Sequence, residues 1–117
     1  MTGIFEIEEL KVKGQFCLLA FKLYCKHKKI GLQDLGASLF PNENIDLFEF
    51  IELMYFSCQA YAELHEKEFK RSIAQFTNDF ENVTETSIAA ATEKFMEVKL
   101  FGRNLLESGQ TNSTKKK

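Results

Sequence analysis

One segment constrains the fold of this chain more than any other: residues 47–64, with the sequence LFEFIELMYFSCQAYAEL. Thirteen of its 18 residues are apolar, and no Gly or Pro interrupts it, so a long helix is predicted here. Asp46 and Glu49 stand three positions apart at its start, the spacing of a capping box that begins a helix. The sequence therefore predicts that Asp46 begins the long helix of a mainly helical protein.

The helical wheel of this segment has a narrow polar face. At about 100° per residue, the polar side chains share a sector of roughly 80°, and the apolar arc covers roughly 200° or more. The polar sector is formed by Glu49, Glu52, Gln59 and Glu63. Phe56 points into the middle of this sector. One apolar face is expected to pack on a helix at 15–29, and the remainder needs another helix or another molecule to cover it.

Composition and apolar periodicity predict four further helices. Their expected bounds are 15–29, 32–40, 70–81 and about 85–107. Gly31 is expected to supply a left-handed cap for the first of them, and Pro41 ends the second. Asn82, followed by Glu85, indicates the start of the last helix. Residues 3–13 alternate apolar and charged side chains, which suits a short strand or an extended arm.

These elements define the predicted fold class: mainly α, a small helical domain of four to five helices with a short N-terminal β-like segment. The single Pro and six Gly argue against a turn-rich all-β domain. The 117 residues fit one domain. That domain is predicted to span residues 1–107, with a disordered polar tail at 108–117.

The charge distribution disfavours broad binding to nucleic acid, which needs an excess of cations on at least one face. The net charge is −2, and the chain without its three C-terminal lysines is near −5. A cluster of Lys22, Lys26, Lys28 and Lys29 leaves a small DNA-binding or regulatory helical protein as an alternative. No uninterrupted apolar stretch predicts a membrane span. The acidic start lacks the layout of a signal peptide, so a cytoplasmic location is expected.

The chain contains no recognisable catalytic constellation. His27 lies in the lysine cluster, where it is interpreted as a helix-end cation, and His65 is interpreted as a surface histidine among acidic residues. Cys17, Cys25 and His27 fall on different sides of one helix, unlike the ligands of a tetrahedral zinc site. The three cysteines are interpreted as small buried hydrophobes. No glycine-rich phosphate loop is present, so the chain is predicted not to be an enzyme and to need no metal or cofactor.

Phenylalanine is unusually abundant, with twelve copies in 117 residues. A domain of this size buries only about two-thirds of the surface of its unfolded chain, so some rings are expected to remain at the surface. This excess points to protein partners. The predicted partner-contact residues are Phe48, Met54, Tyr55, Phe56, Phe95 and Phe101.

Three motifs carry a resemblance to a known family. The first helix leads into Lys29–Leu35, KIGLQDL; an aromatic and small-residue pattern runs from Leu53 to Ala62; and Phe76–Phe80 has the sequence FTNDF. In this order the chain resembles the tail assembly chaperones of long-tailed bacteriophages and prophages, over roughly residues 4–105. One departure concerns the start, because the family has a fuller β-hairpin with a glycine turn, which FEIEELKVK lacks.

The resemblance implies a non-enzymatic role in tail assembly. It implies that the chain self-associates as a homo-oligomer, covers the apolar helices of the long tape measure protein, and leaves as tail tube subunits polymerise. The partners so implied are the tape measure protein and the tail tube protein, in the cytoplasm of a bacterial host, with no membrane. A structural virion protein, such as a head–tail connector, is the other alternative.

Overall fold

The computed structural model describes residues 3–98 completely and the backbone of residues 99–100 and 103–104. Within that part the chain forms five α-helices and two short antiparallel hairpins. The predicted fold class, mainly α with an N-terminal β segment, is therefore confirmed. The predicted domain end at 107 and the polar tail at 108–117 lie outside the described residues. None of the helices described is long and apolar enough to cross a bilayer.

The chain begins with a β-hairpin in which β1 (Ile4–Ile7) pairs antiparallel with β2 (Val12–Gln15). Successive residues of a strand face opposite sides, and Phe5 and Ile7 accordingly point into the core. The turn contains no glycine. Lys11 instead adopts a positive φ of 56°, a conformation that glycine tolerates more readily. The hairpin therefore forms without a glycine turn.

Helix α1 (Leu18–Lys28) ends in a Schellman motif. The N–H of Ile30 donates to the carbonyl of Cys25 at 3.0 Å, and the N–H of Lys29 donates to the carbonyl three residues back at 3.3 Å. These bonds satisfy carbonyls that the helix end leaves open. Lys29 holds the left-handed conformation, with φ 61° and ψ 44°. The prediction that Gly31 supplies this cap is wrong, because the helix ends earlier and Gly31 has φ −89°.

A short helical segment follows, as predicted. A 3-10 turn at Leu32–Asp34 leads into α2 (Leu35–Leu39), which ends before Pro41. Phe40 has φ −128° and ψ 68°, because a residue that precedes proline is disfavoured in the helical region. The leucines at both ends of α2 are buried, so this short segment contributes to the core.

Helix α3 (Leu47–Leu64) lies at the centre of the molecule. Its predicted start is confirmed, since the Oδ1 atom of Asp46 accepts the N–H of Glu49 at 3.2 Å. The helix packs against β2, α1 and the helix that follows it, and nine of its 18 residues are buried. The expected cover for the rest of its apolar arc was another helix or another molecule. Within the chain, the strand β2 supplies cover as well as the helices α1 and α4.

Helix α4 (Ile73–Asp79) is the next predicted helix in a shorter form. Ser72 begins it, because its Oγ atom accepts the N–H of Gln75 at 3.1 Å. A 3-10 turn at Phe80–Asn82 continues it. The buried ring of Phe76 anchors α4 to the core.

The hairpin turn and helix α5 (Glu85–Met96) are joined by one carboxylate. Glu9 in the β1–β2 turn accepts the backbone N–H of Thr84 at 3.0 Å and the hydroxyl hydrogen of Ser87 at 2.8 Å. Thr84 caps the helix, since its Oγ1 atom accepts the N–H of Ser87 at 3.3 Å. Helix α5 therefore starts at Glu85, in agreement with the predicted bound, but Thr84 and not Asn82 caps it.

Replacing Glu9 with Gln is expected to destabilise the protein in a pH-dependent way. The hydrogen bonds, chiefly that from the Thr84 N–H, lower the pKa of Glu9 from 4.5 to about 2. A lowered pKa contributes stability that is fully present above the unfolded value and is lost as the pH falls through the folded value. The Tm of Glu9→Gln should lie below that of the wild type at pH 7 and approach it as the pH falls from about 4.5 towards 2.

Glu8→Gln provides the control for this change. Glu8 lies in the same exposed turn, and its replacement is expected to leave the Tm at pH 7 unchanged. A Tm difference for Glu9→Gln that does not depend on pH contradicts this account of the carboxylate.

The last helix is shorter than predicted, since α5 ends at Met96 and not at 107. The chain then pairs β3 (Lys99–Leu100) with β4 (Arg103–Asn104) in a second antiparallel hairpin. Val98 is buried just beyond the helix. It lies three residues after Phe95, a step that suits a helix and equally suits an extended chain that returns to the core. The apolar spacing therefore could not fix the helix end.

Two clusters of aromatic rings hold these elements together. In the first, the Phe16 ring centroid lies 4.6 Å from that of Phe5, 5.8 Å from that of Phe50 and 5.4 Å from that of Phe95. This cluster joins the hairpin to α3 and α5. The second cluster joins α3 to α4 and its flanking segments through Tyr55, Phe69, Phe76 and Phe80. Such ring pairs contribute roughly 0.5–1.5 kcal/mol each beyond the area they bury.

Candidate functional site

The structure separates the predicted partner-contact residues by burial. Phe48 is 71% exposed. Met54, Tyr55 and Phe95 are buried, which corrects their assignment, because each packs against other residues of the same chain and presents almost no surface to a partner. Phe101 lies outside the residues whose side chains are described. Among the members of the predicted set whose side chains are described, Phe48 is thus the largely exposed one.

Phe56 holds an intermediate position. Its ring is half-buried, with a centroid 5.2 Å from that of His27 and 5.2 Å from that of Tyr55. Glu52 stands one turn earlier on α3, in agreement with the helical wheel. The wheel of a single helix does not include the neighbouring α1, and the approach of His27 from α1 partly covers this ring.

Phe48 lines an open groove of about 560 Å³, which we call the α1/α3/α4 groove. The groove lies where the end of α1, the first turns of α3 and the length of α4 approach one another. Its lining residues are His27, Phe48, Glu52, Ile73, Ala74, Thr77, Asn78 and Glu81. On the α4 wall the Thr77 hydroxyl donates to the carbonyl oxygen of Ile73 at 2.8 Å. Its hydrogen is therefore used within the helix. The apolar contact on this wall comes from Ile73 and Ala74, beside the exposed amide of Asn78.

A polar network between α1, α2 and α3 fixes two of these walls. The Lys28 Nζ atom lies 2.8 Å from a carboxylate oxygen of Glu49 and 3.1 Å from one of Glu52. The Tyr24 hydroxyl donates to Glu49 at 2.8 Å and lies 2.7 Å from the Oγ atom of Ser38. The hydrogen bond to Glu49 raises the pKa of Lys28, and burial raises the pKa of Tyr24. At neutral pH the lysine is charged, the phenol is protonated, and Glu52 is held at the groove.

A second open groove, of about 710 Å³, lies beside the hairpin turn. Its walls come chiefly from residues 10–12 and 68–72. Arg71 donates to the carbonyl oxygen of Leu10 at 3.2 Å and lies 3.0 Å from a carboxylate oxygen of Asp79. This cation therefore ties the hairpin turn to α4. None of the lining residues of this groove is a largely exposed apolar side chain, so the α1/α3/α4 groove is the better candidate for a partner.

The lysine cluster of the DNA-binding alternative is divided in the structure. Lys28 is engaged by two glutamates, whereas Lys22, Lys26 and Lys29 are exposed. One of the four cations is thus neutralised by acidic side chains of α3. This pairing weakens the cluster as a phosphate-binding surface.

The thiols behave as small apolar side chains. Burial raises the pKa of Cys58 to about 12 and also raises that of Cys25, so both stay protonated at neutral pH. Their predicted burial is confirmed, whereas Cys17 is only partly buried. Among the residues the structure describes, no group of three or more His, Cys, Asp or Glu side chains is placed to hold a metal ion.

Comparisons of the chain with models of known protein families, with curated proteins and with solved structures each find no match. The fold and the groove are therefore the features that bear on function. Together they define a small helical protein with an apolar, partly acidic groove and an exposed aromatic ring on it.

Proposed function

We propose that the protein is a tail assembly chaperone of a bacteriophage or prophage, which binds apolar helical segments of the tape measure protein. One observation carries the proposal: Phe48, a large aromatic side chain that is 71% exposed, lines a groove between helices. Contiguous exposed apolar surface with a polar rim is typical of protein-interaction sites. Amphipathic helices bind by laying their apolar face into grooves of this kind.

The arrangement of the fold supports the same role through the family resemblance. The family has a hairpin before its first helix, and β1 and β2 supply one here. The segment Lys29–Leu35 forms the end of α1 and the 3-10 turn before α2. Phe76 and Phe80 are buried, as expected of a motif that maintains the fold. The motifs of the resemblance therefore coincide with structural positions.

In this role the chain is not an enzyme and acts by covering apolar surface. It is expected to self-associate in the bacterial cytoplasm and to be released when tail tube subunits polymerise. The DNA-binding alternative gains no comparable support, because Lys28 is held by two glutamates.

Co-expression with a tape measure fragment from the same phage genome, chosen because it precipitates alone, tests the proposal. The wild-type chain is expected to bring most of the fragment into the soluble fraction. Phe48→Ser removes an exposed ring at little cost to folding and is expected to lose most of this effect. Leu18→Ser, which removes an apolar side chain that is 51% exposed and lies outside the groove, is the matched control and should retain it.

The two ways in which this experiment can fail are distinct. A fragment that precipitates equally with and without the wild-type chain would overturn the proposed function. Equal solubilisation by the wild type and Phe48→Ser, with the fragment soluble in both, would overturn the assignment of the groove as the binding surface.

A further inference from the structure

We infer that the α1/α3/α4 groove selects helices whose apolar stripe is flanked by lysine or arginine. The inference rests on the proposed function, since it takes the occupant to be a helical segment of another protein. It adds the chemical rule by which that segment is chosen.

The apolar part of the groove determines that the occupant carries an apolar stripe. Phe48 on α3 and Ile73 and Ala74 on α4 present carbon surface from two walls. Apolar side chains at three- and four-residue steps project from one face of a helix. A stripe of this kind can contact both walls at once while the polar face of the helix stays in water.

The charged part of the groove determines what flanks that stripe. Glu52 contributes a carboxylate from α3, and Glu81 contributes one from the 3-10 turn after α4. None of the lining residues is a lysine or an arginine. Lys28 lies within 3.1 Å of carboxylate oxygens of both Glu49 and Glu52. Its single positive charge is therefore shared between two carboxylates. His27 is the basic side chain in the lining, and it faces the two carboxylates of Glu52 and Glu81, so the groove is left with an excess of negative charge.

This excess favours a basic occupant over the others that the shape allows. Opposite charges across an interface steer the partner and set its register, whereas like charges disfavour binding. A second copy of this chain has a net charge of −2 and so gains no overall charge attraction from the groove. An acidic helix would bring further carboxylates towards Glu52 and Glu81.

Two synthetic helical peptides with the same leucine stripe, one flanked by Lys and one by Glu, test the rule by fluorescence anisotropy at low ionic strength. The wild-type chain is expected to bind the Lys-flanked peptide about tenfold more tightly, the scale of a few exposed ion pairs. Added salt should reduce this preference, because exposed charges are screened.

Glu81→Lys is expected to reduce the preference for the Lys-flanked peptide to about threefold or less. Glu93→Lys, an exposed charge reversal on α5 outside the groove, should leave it intact.

Three results would overturn the rule. The first is equal affinity for the two peptides. The second is an unchanged preference in Glu81→Lys, provided that this variant has the circular dichroism of the wild type. The third is self-association that Glu81→Lys abolishes while neither peptide binds. The last result would make a second copy the occupant. If the tape measure fragment is kept soluble but the peptides bind equally, the proposed function stands and the charge rule fails. If the peptides obey the rule but the fragment precipitates, the proposed function fails.

Discussion

Phe50→Ala is expected to lower the free energy of unfolding by about 4 kcal/mol, the scale for removing a fully buried ring from a core. Phe50 has no exposed surface. Its ring centroid lies 5.8 Å from that of Phe16 and 5.9 Å from that of Phe95, so its loss opens a cavity where the hairpin, α3 and α5 meet. The whole domain is expected to be stable by about 5–15 kcal/mol. The midpoint of urea unfolding, followed by circular dichroism, should therefore fall sharply.

Phe48→Ala is the matched control for this change. It removes the same side chain from the same helix two positions away, where the ring is 71% exposed. Its effect on the free energy of unfolding should lie within about 0.5 kcal/mol. Similar losses for the two variants would contradict the assignment of Phe50 to the core and Phe48 to the surface.

Gly14→Ala is expected to cost about 2 kcal/mol or more, the scale for adding a methyl group to a packed core. A Cβ atom at Gly14 would clash with the Cζ atom of Phe5. The Phe5 ring is nearly buried and stacks on Phe16 with centroids 4.6 Å apart, so it has little room to move away. The same urea titration measures the loss.

A double substitution separates this steric account from a general loss of strand structure. Phe5→Leu shortens the side chain that a methyl group at Gly14 would meet, so the cost of Gly14→Ala should be smaller in the Phe5→Leu background than in the wild type. Lys13→Ala, at the exposed neighbouring position of β2, should cost little. Additive losses for the two core changes would exclude a clash with the Phe5 ring.

The local parts of the fold could be predicted from the sequence because local chemistry determines them. Asp46 and Glu49 fix the start of α3 through one hydrogen bond between near neighbours, and Pro41 limits α2 in the same local way. The role of Lys29 as the cap of α1 could not be predicted in this manner. Glycine is the residue expected in a left-handed cap. Only the packing of Ile30 on the core and the hydrogen bond from its N–H to the carbonyl of Cys25 show that Lys29 takes this conformation.

The long-range parts could not be predicted, since they depend on which elements meet. The wheel of α3 gave a correct apolar arc, but it could not show that β2 and α1 pack against this helix or that Met54 is buried. It therefore favoured Phe56, which His27 of α1 partly covers. Ile73 and Ala74 were missed as groove residues. The periodicity of α4 indicated a core stripe, but it could not show which residues of the helix line a groove with α1 and α3.

The carboxylate of Glu9 bonds to Thr84, 75 positions later in the chain, and β1 packs on α5. During translation β1 is therefore made well before α5, so the part of its apolar side that packs on α5 stays uncovered until α5 follows. Contacts between such distant positions close late and slow the search for the native state. A nascent chain that stalls before Thr84 would hold Phe5 and Ile7 without their partner helix, and so would be the stage most exposed to aggregation.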